Sequence, residues 1–170
     1  MANKKIIEAL NSQIQKEFHS SYIYIGMEAW FADNNLDGFS HFFHIQAMEE
    51  RDHAYRIFDF VHRLGGTVTL EELPKPKADY ESVEDVIKAA LEHEQFITKS
   101  ISDLMDIALD ERDHATISFL NWFIDEQVEE EENVGKILNQ VKLMGKDGRG
   151  IFMIDRELAK RVYTPPVSGE

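Results

Sequence analysis

The sequence predicts an all-α protein: an up-down-down-up four-helix bundle with a long crossover loop between helices two and three and a short fifth C-terminal helix. Apolar residues recur at alternating spacings of three and four along four long segments, which is the stripe that a bundle helix buries. One segment rich in glycine and proline, residues 65–82, interrupts this pattern. Unusual polar residues inside the stripes repeat after 77 residues, so two helical hairpins carry the same pattern.

The first two helices are expected to form an antiparallel hairpin. The first spans residues 5–33, and the second begins near Asp37, its expected N-cap, and ends at Leu64 before Gly65 and Gly66. The short turn between them makes the helices antiparallel neighbours. The two buried stripes are expected to be Ile7, Leu10, Ile14, Glu17, Ser21, Tyr24, Glu28 and Phe31, and Phe39, Phe43, Gln46, Glu50, His53, Ile57, Phe60 and Leu64.

Residues 65–82 lead to the third helix, which is expected to begin at a capping box formed by Ser82 and Asp85. This segment can extend over roughly 60 Å at about 3.3 Å per residue. A helix of about 28 residues measures only about 42 Å. The segment can therefore carry the chain from one end of the bundle to the other, as the up-down-down-up order requires. A loosely attached surface loop is the alternative.

The remaining elements complete the predicted domain organisation. The fourth helix is expected to begin near Asp113, and the fifth to span residues 151–162 after a glycine-containing turn. We expect residues 1–145 to form the bundle. Residues 146–162 should hold the fifth helix, whose apolar stripe no monomeric four-helix core requires and which should therefore pack in an oligomer. Residues 163–170 are expected to form a mobile tail.

Composition excludes several classes of protein. Apolar residues make up 43% of the 170, too many for a disordered chain, and no apolar run is long enough for a membrane span. The N-terminus lacks the apolar segment of a secretory signal, so the cytoplasm is the expected location. A net charge of −14 disfavours nucleic acid and favours attraction of cations. The absence of cysteine excludes disulfides and thiolate-held zinc or iron–sulfur centres.

The chemistry of the chain centres on the pair Glu50-x-x-His53, whose side chains are neighbours on one face of a helix and can reach the same ion. Both occupy stripe positions where Leu or Ile is usual, and burying them without partners would be costly. The 77-residue repeat supplies partners, because a two-fold axis across the bundle would bring the polar residues of both hairpins together. The resulting cluster comprises Glu17, Glu50, His53, Glu94, Gln127 and Glu130.

This cluster has the chemistry of a metal site. Oxygen and nitrogen donors without sulfur suit iron, manganese or magnesium-like ions better than a closed structural zinc site. Four carboxylates balance the charge of two divalent ions, whereas without metal they would raise one another's pKa values. Divalent metal is therefore expected to raise thermal stability. The alternative is a set of buried polar residues paired with Arg or Lys, but no stripe position offers either at that level.

Over essentially the whole chain, the motif set resembles the prokaryotic non-haem ferritins, which belong to the ferritin-like carboxylate proteins built on four-helix bundles. The residues that carry the resemblance are Glu17, Tyr24, Glu49, Glu50, His53, Glu94, Trp122 and the run Glu126-Gln127-Val128-Glu129-Glu130. The resemblance implies a homo-oligomeric hollow shell of about 24 subunits. It also implies oxidation of Fe(II) by O2 or H2O2 within each subunit and storage of an Fe(III) mineral in the cavity.

The resemblance implies a role for each of these residues. It assigns the first iron to Glu17, Glu50 and His53. It assigns the second iron to Glu50, Glu94 and Glu130, with Glu50 bridging and Gln127 close by. It assigns a third iron site, between the centre and the cavity, to Glu49, Glu126, Glu129 and Glu130. Tyr24 would be a redox-active tyrosine and Trp122 an aromatic neighbour of the site; otherwise each is simply a packed aromatic.

Other proteins use the same bundle for different purposes. Arg51 follows Glu50 where bacterioferritin has a haem-ligating Met, so no haem is expected, and rubrerythrin would need cysteines. A di-metal oxygenase, oxidase or manganese catalase would need a substrate pocket beside the metals. A purely structural bundle with solvated acidic faces is the second alternative. The physiological metal, the oxidant, the route of iron and the partner for its release are left open by the sequence.

Overall fold

Five α-helices and their connections make up the part of the chain that the computed structural model describes, residues 3–144 and 147–166. In chain order the helices are α1 Lys4–Asp33, α2 Asp37–Arg63, α3 Val83–Asp110, α4 His114–Met144 and α5 Gly148–Leu158. These described ranges contain no strand. The four long helices and the short fifth one confirm the predicted all-α bundle. Within the same ranges, no helix has both the length and the apolar character needed to cross a membrane.

Contacts at the helix ends give the order of the bundle. α1 packs along α2, and α3 packs along α4. Asn3, which caps the start of α1, donates a hydrogen bond of 2.8 Å to Glu111, which follows the end of α3. Lys5 binds the same carboxylate at 3.0 Å. α1 and α3 are therefore antiparallel, so α3 runs in the same direction as α2, as the up-down-down-up prediction requires.

The crossover between α2 and α3 runs along α1. The amide of Asn11, near the start of α1, donates to the carbonyl of Thr67 at 2.9 Å, and Gln15 donates to Glu72 at 3.0 Å. Further along α1, a Cβ at Gly26 would lie 3.4 Å from the carbonyl oxygen of Lys77. The segment thus crosses the length of the bundle in successive contacts with one helix, which agrees with the length argument made from the sequence.

The helix ends agree with the predicted signals in part. Gly65 follows α2 with a φ of 73°, the left-handed conformation that glycine adopts without strain. Ser82 caps α3 by accepting a hydrogen bond of 3.1 Å from the backbone N–H of Asp85. The prediction that Asp37 caps α2 was wrong, because Asp37 is the first helical residue and Leu36 occupies the cap position without a side-chain bond. Asp37 instead places its negative charge in the first turn, where the helix dipole favours it.

The fifth helix lies earlier in the chain than predicted. It runs from Gly148 to Leu158 and not over residues 151–162, because Asp147 caps it by accepting from the N–H of Arg149 at 3.0 Å. Val162, counted in the predicted apolar stripe, follows the helix and is 80% exposed. The turn residues 145–146 and residues 167–170 of the expected mobile tail lie outside the described residues.

Two apolar clusters form the core, one on each side of a polar level. The first contains Tyr24, Phe31, Phe39, Phe43, Ile87, Val134 and Val141, and the second Ile14, Ile57, Ile97, Ile101, Leu120 and Phe123, among others. On α1 the buried face includes Gln13, Ser20 and Met27, whereas the prediction had Ser21 and Glu28. The difference arises because a straight helix has 3.6 residues per turn and drifts away from a strict 3,4 stripe by about 20° per heptad.

Candidate metal centre

Three polar side chains from α1 and α2 converge at the level between the two apolar clusters. One ligand atom from each of Glu17, Glu50 and His53 lies within 4.8 Å of the others. These three residues are at most 5% exposed. Glu50 and His53 share one face of α2 because they are three residues apart, and the antiparallel α1 brings Glu17 to the same height.

Several atoms of this group have no protein partner. Both carboxylate oxygens of Glu50, Oε2 of Glu17 and Nδ1 of His53 are buried without a hydrogen bond. Glu50 and His53 both lie on α2, and Nδ1 of His53 is 3.5 Å from Oε2 of Glu50. Leaving buried polar atoms unsatisfied costs about 1–3 kcal/mol each, and more for charged groups. An atom set of this kind, with oxygens and one imidazole nitrogen aimed at the same space, fits a cation.

The second hairpin contributes residues that are held by hydrogen bonds. Glu94 on α3 accepts from Tyr24 and, at 3.1 Å, from Nε2 of Gln127 on α4. Glu130 accepts from Nε2 of Gln46 at 2.9 Å. All five side chains are buried. The structure therefore places the polar residues predicted from the 77-residue repeat on four separate helices, facing the interior.

Carboxylates of the two helical hairpins raise one another's pKa values. Burial, followed by the carboxylates of Glu94, Glu17 and Glu130, raises the pKa of Glu50 well above its ordinary value. Burial and then the charge of Glu130 raise the pKa of Glu94 to about 8, while the hydrogen bond from Tyr24 opposes the rise. Without a cation, the centre at neutral pH must therefore hold protons that solvated carboxyl groups would have released.

The three additional acidic residues predicted from the resemblance lie in different surroundings. Glu126 Oε1 is 3.9 Å from Nε2 of His53, on the opposite side of the imidazole from Glu50. Glu49 is partly buried and bound to the guanidinium of Arg161. Glu129 is exposed. Their burial, together with the neighbouring acids, raises the pKa values of Glu49 and Glu126, and Arg161 and His53 oppose the rise.

Two aromatic rings pack against the imidazole of His53. Trp122 meets the His53 ring edge-on, with the ring centroids 5.3 Å apart, and Phe123 does so at 6.0 Å. The guanidinium of Arg56 lies over Trp122 at 4.2 Å. Trp122 is thus in direct contact with a predicted ligand, in the position that the resemblance implied.

Several polar residues that support the centre were not singled out in the sequence. Gln13 donates to Glu17 Oε1 at 2.7 Å, one helical turn before it, and a search for amides four residues from each predicted ligand would have found it. Gln46 lies on the predicted stripe of α2, but its spacing alone does not indicate that it binds Glu130. Arg161 follows the last helix, and no local pattern in the sequence connects it to Glu49.

The chain is similar to known proteins both in sequence and in structure. Residues 7–144 match the family model named Ferritin, described as a ferritin-like domain. The chain is 37% identical over 156 residues to a bacterial non-haem ferritin of Campylobacter jejuni, which covers 92% of this chain and 93% of that protein. It is 37% identical over 163 residues to a bacterial non-haem ferritin of Staphylococcus saprophyticus, covering 96% and 98%.

Solved structures agree with these relatives. A humanised archaeal ferritin superposes with a TM-score of 0.96 at 39% identity and covers 97% of this chain and 100% of that one. An open-pore ferritin from the hyperthermophilic archaeon Archaeoglobus fulgidus gives a TM-score of 0.94 at 38% identity, with 95% and 100% covered. The likeness therefore extends over all five helices and is not confined to the centre.

Proposed function

Because this chain belongs to the ferritin family, we propose that it stores iron by oxidising Fe(II) at a two-iron centre inside each subunit and holding Fe(III) as a mineral within a hollow oligomer. The observation that carries the proposal is the set of unpartnered buried ligand atoms on Glu17, Glu50 and His53. Iron is here the substrate and the stored product, and the protein supplies only ligands, hydrogen bonds and a dry environment. No haem takes part in this scheme.

Each ligand has a proposed place in the centre. Glu17 and His53 hold the first ion, Glu94 and Glu130 the second, and Glu50 bridges them, with Gln127 beside Glu94. The charges favour this division, because the four carboxylates balance two divalent ions in a site that water does not screen. Binding of Fe(II) should displace the protons that the metal-free carboxyl groups retain.

The electrons and protons of the proposed reaction balance as follows. Two Fe(II) ions each lose one electron, and one O2 accepts both electrons with two protons to give H2O2. With H2O2 as the oxidant, the same two electrons and two protons give two molecules of water. A paired site makes the two electrons available together, which avoids release of a one-electron product. Tyr24, whose hydroxyl donates to Glu94, lies close enough to the centre to serve as the redox-active tyrosine that the resemblance implies.

The additional acids give the oxidised ions a way out of the centre. Glu49, Glu126 and Glu129, together with Glu130, form the proposed third iron site. The position of Glu126 on the far side of His53 supports this order, since an ion leaving the centre meets that carboxylate next. The overall charge of −14 also raises the local concentration of Fe(II) around the protein.

The storage role requires an oligomer. We propose a shell of about 24 subunits, in which the exposed side of α5 is covered by neighbouring copies. Phe152 and Met153 of α5 are 59% and 61% exposed in the single chain, and large apolar side chains of this kind are typical of subunit contacts. Sizing of the purified protein tests this part directly, because a monomer or dimer would support a non-storage role. The cytoplasmic location stays a prediction.

The ferroxidase assignment is tested by Glu50→Ala and His53→Ala, with the exposed Glu92→Gln as a matched control. Both site variants should lose most of the rapid formation of Fe(III), followed by its near-ultraviolet absorbance after Fe(II) is mixed with aerated protein. The control variant should oxidise iron as the wild type does. All three should assemble to the wild-type size. Wild-type rates in both site variants would refute the assignment of the centre.

A further inference from the structure

A buried hydrogen-bonded chain leads from the surface to Glu17 and has no place in the oxidation scheme. Lys16 Nζ lies 2.7 Å from Oγ of Ser100 on α3, and that hydroxyl lies 2.6 Å from Oε1 of Gln13. The other end of the Gln13 amide, Nε2, lies 2.7 Å from Oε1 of Glu17. Gln13 is 1% exposed and Ser100 7%, so the bonds from Ser100 to Gln13 and from Gln13 to Glu17 are shielded from water, whereas Lys16 is partly exposed.

The direction of every bond in this chain is set by Lys16. An ammonium group has only donors, so the Ser100 hydroxyl must accept from it. The single hydrogen of that hydroxyl is then directed to the carbonyl oxygen of Gln13. The amide consequently presents its NH2 group, and not its oxygen, to the carboxylate of Glu17. A reversed amide would place an oxygen against the carboxylate and would leave the serine hydrogen facing an NH2 group.

We propose that Lys16, Ser100 and Gln13 form an oriented relay that fixes the coordinating oxygen of Glu17, so that Lys16 is a positioning residue for the first metal ion although it does not touch the centre. Glu17 Oε1 is engaged by the relay, and Oε2 is the oxygen that remains buried without a partner. The relay thus holds Oε1 of Glu17 as the acceptor and leaves Oε2 to face the ion. This inference rests on the proposed function, since it concerns the affinity of the same centre.

The amide that donates to Glu94 in the second hairpin, Gln127, is bound differently from Gln13. Gln127 Nε2 donates to Glu94 Oε2 at 3.1 Å and also lies 3.3 Å from both the Glu94 carbonyl and the Thr98 hydroxyl. Longer, shared bonds of this kind hold an amide less firmly than the two short bonds of Gln13. Glu94 is held in addition by the Tyr24 hydroxyl, whereas Glu17 has only the Gln13 amide, so the orientation of Glu17 depends on the relay alone.

The test measures Fe(II) binding under nitrogen, by calorimetry on the assembled protein, so that no oxidation occurs. Lys16→Met keeps the aliphatic stem and removes the donor. It should weaken one of the two binding steps of the two-iron centre about tenfold, the equivalent of one charge-assisted hydrogen bond. Lys16→Arg, which also carries only donors, should stay within about twofold of the wild type. Lys99→Met is the matched control, since Lys99 adjoins Ser100 in the chain but forms an exposed pair with Asp103.

Two further variants distinguish an effect of the hydrogen-bonded relay from a general effect of side-chain packing. Ser100→Ala should weaken the same step as Lys16→Met, and the double variant should be no weaker than either single one, because both cut the same chain of bonds. Losses that add, or Lys16→Met binding as tightly as the wild type, would overturn the relay. A wild type that binds Fe(II) under nitrogen but does not oxidise it when O2 or H2O2 is then added would refute the proposed function and leave the relay standing. A wild type that binds no Fe(II) would overturn both.

Discussion

Replacing Glu50 by Gln should stabilise the metal-free protein at neutral pH while abolishing rapid iron oxidation. Glu50 is 1% exposed, and neither carboxylate oxygen has a hydrogen-bond partner. The substitution keeps the size of the side chain and removes only its ionisation. Because no donor of the described chain hydrogen-bonds to Glu50, the variant loses no such bond, which separates this position from the other carboxylates of the centre.

The magnitude follows from the raised pKa of Glu50. The folded protein keeps this carboxyl protonated above its ordinary pKa of 4.5, where the unfolded chain has released the proton. The folded state then binds more protons than the unfolded state, so the free energy of unfolding falls as pH rises, by about 1.4 kcal/mol per pH unit for one group. Between pH 5 and pH 7 the loss is at most about 3 kcal/mol, or roughly 6–12 °C in Tm for a chain of this length.

The assay is thermal unfolding of chelator-treated protein at fixed concentration between pH 5 and pH 8. The Tm of the wild type should fall across this range, and that of Glu50→Gln should fall less steeply, although Glu94, with a pKa of about 8, still contributes to both. Glu92→Gln, whose side chain is 63% exposed, should follow the wild type. Fe(II) added under nitrogen should raise the wild-type Tm more than that of Glu50→Gln. A wild-type curve that is flat with pH, or a variant that falls as steeply, would refute the reasoning.

Two further predictions concern the C-terminal part of the chain. Gly38→Ala should release α5 from α2 and reduce the fraction of assembled shell on sizing, because the added Cβ would lie 1.7 Å from the carbonyl oxygen of Asp155. Gly135→Ala is its control and should stabilise α4 by up to about 1 kcal/mol, since nothing lies within 4 Å of the added atom. Arg161→Gln should tighten binding of the third Fe(II) under nitrogen several-fold by freeing the Glu49 carboxylate, and unchanged third-step affinity would contradict this.

The sequence predicted the helical framework and the burial of the polar residues of the centre, because both depend on local periodicity. Glu50 and His53 are conspicuous in an apolar stripe, and the repeat identified Glu94 and Glu130 at the same depth. The wrong details arose where other forces decide. The cap formed by Asp147 sets the start of α5, and apolar spacing cannot show it. A straight helix drifts away from the 3,4 spacing, so some residues on the buried face of α1 are not those that the spacing predicts.

Contacts between segments that are far apart in the chain could not be predicted from the sequence pattern. The absence of Arg or Lys from the stripes suggested that no cation accompanies the acids, yet two cations reach the site from outside them. Lys16 acts through Ser100 and Gln13, and Arg161 binds Glu49 from beyond the last helix. Neither contact follows from residue spacing, because each depends on how elements more than 80 residues apart pack together.

The hydrogen-bond donors around the centre show which carboxylate depends most on metal. Glu17 receives an amide hydrogen bond from Gln13, and Glu130 one from Gln46. Glu94 receives hydrogen bonds from Tyr24 and Gln127. Glu50, between them, receives none.

Glu17, Glu94 and Glu130 each accept a hydrogen bond that partly replaces solvent. For Glu50 only a cation or a proton can replace it. Carboxyl-to-amide substitutions should therefore rank unequally in the metal-free protein. Glu50→Gln alone should raise the Tm at pH 7, because Glu94→Gln and Glu130→Gln would set an amide group against donors that already face those positions. An equal rise in Tm for all three variants would show that Glu50 is not distinct, and that the charge shared by the carboxylates, not the missing donor, decides stability.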